Sequence, residues 1–193
     1  SAVRAVCPNC VDVSSSINHL KRRIEELEEA KSKAAGLLPQ KLKGMLLDAS
    51  FCDTVLETSD GKVIRAHRCI LAAWSPVFSR MLSSGFQEGQ SQCVQIQDMD
   101  RPTLDLLLTF MYTGVVDVTG ETTKGLELLV AADKYGVQEL KQRLDEDLCG
   151  EINDETAFEC LRISDMHSAT SLREASSEYI LNMDPEASML HLK

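Results

Sequence analysis

Few residues in this chain have types and spacings that could do chemistry. Asp53, His67 and Ser75 supply the three side chains of a hydrolytic triad, and Cys7-Pro-Asn-Cys10 supplies two thiolates at zinc-knuckle spacing. A triad needs an exposed nucleophile on a tight turn beside its base. Ser75 is instead followed by Pro76 inside a run of helical spacing, with no nucleophile elbow around it. Asp53 and His67 read as structural polar residues. Asp53, between Phe51 and Val55, needs a partner if it is buried. His67 ends a strand, where a neutral imidazole can bond to backbone. Two thiolates fill only half of a tetrahedral zinc site, and no second pair follows. Cys7 and Cys10 are therefore at most a half site, and neither a metal nor another cofactor is expected. No phosphate-binding glycine loop is present, so an enzyme is not expected.

The elements around these residues alternate in period. Val55-Leu56 and Val63-Ile64 flank Ser59-Asp60-Gly61, the pattern of a hairpin. Ile70, Leu71, Trp74, Phe78 and Leu82 then follow helical spacing, which predicts one helix running through Ser75-Pro76. A polar loop over Phe86–Gln92 leads to an alternating strand at Cys93, and a helix follows from Pro102 to Tyr112. Further helices are predicted from Glu127 to Tyr135, from Val137 to Leu148, from Asp154 and from Ser171 to Leu181. Upstream, Ile17, Leu20, Ile24 and Leu27 give two good heptads of an amphipathic helix or short coiled coil, opened by Ser14-Ser-Ser and closed at Gly36, with Pro39 starting the next helix. The expected class is α+β.

Within that frame Phe51-Cys-Asp-Thr-Val, Ala66-His-Arg-Cys-Ile-Leu-Ala-Ala, Ser75-Pro-Val-Phe-Ser-Arg-Met, Phe110-Met-Tyr-Thr-Gly and Ala131-Ala-Asp-Lys-Tyr occur in series. The chain resembles the BTB/POZ family over Leu37 to Asn182, most closely its cullin-3 adaptor type with a helical tail. The resemblance implies a small, mainly antiparallel sheet flanked by helices. It divides the chain into a tail at 1–36, a BTB/POZ domain at 37–150 and a helical extension at 151–193. It implies a homodimer through Leu38, Leu42, Met45 and Ile70, with Asp53 a structural polar residue near the seam. It also implies docking on cullin-3 through Phe86, Gln87 and Glu88, an apolar anchor with an acidic rim, bordered by Tyr112. The function it implies is that of a substrate adaptor for a ubiquitin ligase, with an unidentified protein substrate; a dimerisation platform that does not bind cullin is the alternative.

Bulk properties agree with an interaction module. The chain has 193 residues, 44% of them hydrophobic, and carries a net charge of −10. That charge is uneven: residues 1–45 hold +3 and residues 46–193 hold −13. An acidic body repels phosphate backbones, so no nucleic-acid partner is expected. No apolar run reaches the roughly 18 residues of a membrane helix, and no membrane partner is expected. Seven cysteines, five of them scattered singly among apolar neighbours, fit a reducing cytoplasmic or nuclear setting.

Overall fold

A computed structural model describes residues 8–83 and 93–183, and within the first helix the side chains of residues 18–26 and from 36 onward. The chain falls into two units, residues 1–42 and 43–193.

The first unit is helical. Helix α1 runs over Pro8–Leu47 and carries Pro39 in its interior. The expected break at Gly36 does not occur. Gly36 is not among the glycines with positive φ, so it adopts no left-handed cap. The good helix formers around it (Leu37, Leu38, Gln40, Lys41, Leu42) carry the helix across two residues that each weaken it.

The second unit is built on a three-stranded sheet of order β2-β1-β3, with β1 at Thr54–Thr58, β2 at Val63–Ala66 and β3 at Cys93–Ile96. β1 and β2 form an antiparallel hairpin in the register Leu56↔Ile64. Gly61, with φ 71°, lets the turn close. β3 lies parallel to β1 in the register Leu56↔Val94. The described sheet is thus mixed rather than mainly antiparallel, because the described part of the chain between β2 and β3 is helical and β3 joins the far edge of β1 instead of closing a second hairpin. Alternation buries Thr54, Leu56 and Thr58 on one face of β1, and Leu56, Val94 and Ile96 are all 0% exposed.

The predicted long helix after β2 is two: α2 at Arg68–Trp74 and α3 at Pro76–Met81. A residue before proline is driven out of the helical region. Ser75 is accordingly extended at φ −127°, ψ 115°, and its hydroxyl caps α3 by accepting the Phe78 N–H at 3.0 Å. Helices α4 (Arg101–Thr113) and α5 (Thr122–Tyr135) complete the central layer. α4 is capped by the Asp100 carboxylate, which accepts the Thr103 N–H at 2.9 Å, and ends at left-handed Gly114. The largest buried side chains converge here: Phe78, Leu71, Leu104, Leu107, Leu108, Leu128 and Leu129.

α6 (Gln138–Asp147) passes into a 3-10 turn at Leu148–Glu151, and α7 (Ala157–Met166) and α8 (Thr170–Asn182) follow as a helical pair. The junction is keyed into α5 at Gly125. A Cβ placed there would lie 2.5 Å from Cδ2 of Leu148, which is 0% exposed, and 3.4 Å from Cγ2 of Val118. Gly125→Ala is therefore expected to destabilise the fold by about 1–3 kcal/mol through overpacking, despite alanine's better helix propensity. Chemical denaturation checks this, and a gain in stability would refute the keyed contact.

Candidate protein-docking surface

Asp53, His67 and Ser75 do not bond to one another; each is satisfied elsewhere. Asp53 is exposed, and its Oδ1 accepts the backbone N–H of Arg68 at 2.8 Å, tying the first strand to the start of α2. The Ser75 hydroxyl donates to the carbonyl of Tyr135 at 2.5 Å, fastening α3 to the end of α5. His67, 6% exposed, joins three segments. Its Nε2 lies 2.8 Å from the Ser50 carbonyl and its Nδ1 lies 2.6 Å from the Tyr112 hydroxyl. The carbonyl can only accept, so Nε2 carries the proton. The Tyr112 hydroxyl then donates to Nδ1 and accepts the His67 backbone N–H at 2.9 Å.

Tyr112, expected beside a docking surface, is 2% exposed. Burial pushes its phenol up to about 12, so it stays protonated. Its hydroxyl braces His67, at the start of α2, against α4. Phe86, Gln87 and Glu88 lie outside the described residues. Leu38 is 63% exposed, while Leu42, Met45 and Ile70 are half-buried. Among the described residues no group of three His, Cys, Asp or Glu side chains could hold a metal ion. Cys7 lies outside the described residues, and Cys10 falls in the first turn of α1.

The helical extension is held to the core by two aspartates. Asp133, on α5, accepts from Lys141 Nζ at 2.6 Å and lies 2.9 Å from Nδ1 of His167 at the end of α7. Burial works to raise its carboxyl, but Lys141 and His167 outweigh burial and hold it below the usual range. Asp145, on α6, accepts the N–H groups of Ser171 and Leu172 at 3.2 and 2.8 Å. α8 lacks a cap of its own at Ala169, so a carboxylate from another helix does the capping and complements the helix dipole.

Between α4, α5 and α7 lies an open cleft of about 470 Å³ with an apolar floor that includes Met99, Leu126, Val130 and Ile163. Its rim carboxylates are already paired with cations. Asp98 meets Lys134 at 2.7 Å, Asp100 and Glu127 share Lys124, and Glu159 meets Arg162 at 2.6 Å. Asp100 is held down to about 2, chiefly by a hydrogen bond with the Thr103 side chain, with the cap bond from the Thr103 N–H and the Lys124 ammonium adding to it. Sequence reading missed both the cleft and the role of Asp145. Each depends on residues that lie far apart along the chain, and Asp145 in sequence is one acid among several on a solvated helix.

The profile of the BTB/POZ domain family matches residues 42–152. The chain is 34% identical over 128 residues to TD and POZ domain-containing protein 4 of Mus musculus, covering 66% of this chain and 35% of that protein. It is 40% identical over 133 residues to protein maternal effect lethal 26 of Caenorhabditis elegans, covering 67% of this chain and 33% of that protein. The chain thus spans about a third of the length of the curated relatives it matches. The BTB domain of zebrafish PATZ1 shares the fold, with a TM-score of 0.51 at 22% identity over 61% of this chain and 92% of that domain.

Proposed function

The chain belongs to the BTB/POZ domain family, a family of dimerising protein-interaction modules, and from that premise we propose that it is a homodimeric adaptor that docks on cullin-3 and brings a protein substrate to a ubiquitin ligase. The observation that carries the reading is the helical pair α7–α8, fastened to the core by Asp133 and Asp145. A bare dimerisation platform has no need of it. Fastened in this way, it extends the core with an ordered surface on which a large partner can rest.

In this reading Phe86 is the apolar anchor and Glu88 the acidic rim of the contact with cullin-3, and Gln87 spaces them. An apolar anchor supplies binding energy, and a rim charge orients the partner and excludes wrong ones. Tyr112 holds the supporting strand and helix in place. Leu38, Leu42, Met45 and Ile70 form the dimer contact. Two copies then present two ligase arms to one substrate and multiply weak contacts by effective concentration. The ubiquitin chemistry belongs to the other subunits of the ligase, and the adaptor works in the cytoplasm or nucleus.

Titration calorimetry of the chain against the cullin-3 N-terminal domain tests this. One cullin per chain is expected, with affinity reduced at least ~30-fold in a Phe86→Ala, Glu88→Ala double variant, as for the loss of a hot spot. Absence of binding by the parent chain removes the adaptor reading and leaves the dimerisation platform.

A further inference from the structure

Helix α1 carries an apolar seam longer than its two best heptads. Because the helix starts at Pro8, Cys10 and Val13 join Ile17, Leu20, Ile24 and Leu27 in one 3-4 repeat. The unbroken helix past Gly36 continues it through Lys31, Ala34 and Leu38. Lys31 is the one charged residue in that series. Where side chains are described, the seam faces solvent: Leu20 is 60% and Ile24 54% exposed. The opposite face carries an ordinary solvent-side ion pair, Arg22 with Glu26 at 3.7 Å. Large aliphatic side chains one turn apart on a helix of 40 residues are the half-interface of a coiled coil rather than a solvated surface.

The flanking charges indicate what covers the seam. With Ile17, Ile24 and Lys31 at heptad position a and Leu20 and Leu27 at d, Arg23 falls at g and Glu28 at the next e. A parallel pair of helices brings g of one strand to the following e of the other, so Arg23 meets Glu28 twice, once in each direction. The remaining g–e pairs, Asn9 with Ser14, Ser16 with Lys21, Ala30 with Ala35 and Leu37 with Leu42, set no like charges together. Arg23 lies near the middle of the seam, so an antiparallel pair with full overlap would bring it toward its own copy. β-branched Ile at a with Leu at d favours two strands, and a single lysine at a fixes register and strand number at some cost in stability.

We propose that α1 is a second dimerisation element, forming a parallel, in-register two-stranded coiled coil with α1 of another copy of this chain. The pairing is independent of cullin docking, since an adaptor and a bare platform would carry it alike. A dimer made through the BTB/POZ domain also raises the effective concentration of one α1 for the other, which lets a seam of this length close.

Hydrogen exchange of the full chain, followed at the amides of residues 18–26, tests the proposal alongside sedimentation. Protection is expected to follow the dimer fraction on dilution and to fall at least ~10-fold in a Leu20→Glu, Ile24→Glu variant, with the amides of β1 and α5 unaffected. Arg23→Glu and Glu28→Arg are each expected to lose protection when alone, and to regain it when the two variant chains are mixed and equilibrated. Protection that persists in monomer means that the helix folds back on its own chain. No protection at any concentration means that a different partner covers the seam. Mixed variants that stay unprotected mean that the strands are not parallel. Each of these three results overturns the proposal.

Discussion

Phe78→Ala is expected to cost the fold about 3–5 kcal/mol, the usual range for emptying a buried aromatic site. Phe78 is 0% exposed and stacks on Tyr135 with ring centroids 4.8 Å apart. It belongs to a short helix that cannot collapse into the void. Ser75 pins the start of that helix to the Tyr135 carbonyl, and the Tyr135 hydroxyl donates in turn to Asp98 at 3.0 Å. The walls are therefore fixed from both sides, which places the loss toward the upper part of the range. Domains have only about 5–15 kcal/mol of stability in total, so the variant is expected to melt roughly 10 °C lower and to give little soluble protein. Circular dichroism melting decides the matter. Phe78→Leu, which keeps most of the volume but loses the stack, is expected to fall between the two. A melting point for Phe78→Ala within about 2 °C of the parent would show that the site relaxes, contrary to the pinned geometry.

The second large effect concerns a single hydroxyl. Tyr112→Phe keeps the ring but leaves the His67 backbone N–H and Nδ1, both buried, without their partner. Each orphaned group costs about 1–3 kcal/mol, so a loss of about 2–6 kcal/mol is expected in denaturant unfolding. The same variant separates support from contact. Because Tyr112 is 2% exposed, its affinity for a docked protein, measured below the melting range, is expected to stay within about twofold of the parent. A large drop in affinity without loss of stability would put Tyr112 at the interface and sink the bracing role.

Much of this architecture is legible along the chain because it rests on local signals. Gly61 marks the hairpin, Gly114 and Gly136 stop α4 and α5, and the spacing of Ile70 to Leu82 marks a helical stretch. His67 is readable as a backbone-bonded imidazole from its place at a strand end. The misreadings came where one local signal competed with another. The apolar period across Ser75-Pro76 hid a break that the proline's steric demand enforces. At Gly36 and Pro39 the opposite happened, and two breakers lost to a long run of helix formers. Strand direction is not a local property at all. β3 has the same alternation whether it runs with β1 or against it, and only the crossover decides. Of the proposed site, the structure shows the fold and the brace that Tyr112 gives to His67. Phe86, Gln87 and Glu88 rest on their sequence pattern.

The parallel pairing of β1 with β3 also bears on how the chain can be made. During synthesis the β1–β2 hairpin emerges early and can form at once, but the second edge of β1, Val55–Thr58, finds its partner only when Cys93–Ile96 has been translated. Closing that gap is a non-local step, slow compared with the helices between them. Until then a strand edge with an apolar face is open to other chains. A nascent BTB/POZ chain of this kind is therefore most exposed to aggregation before its third strand arrives, and a pause in translation between β2 and β3 would lengthen that exposure.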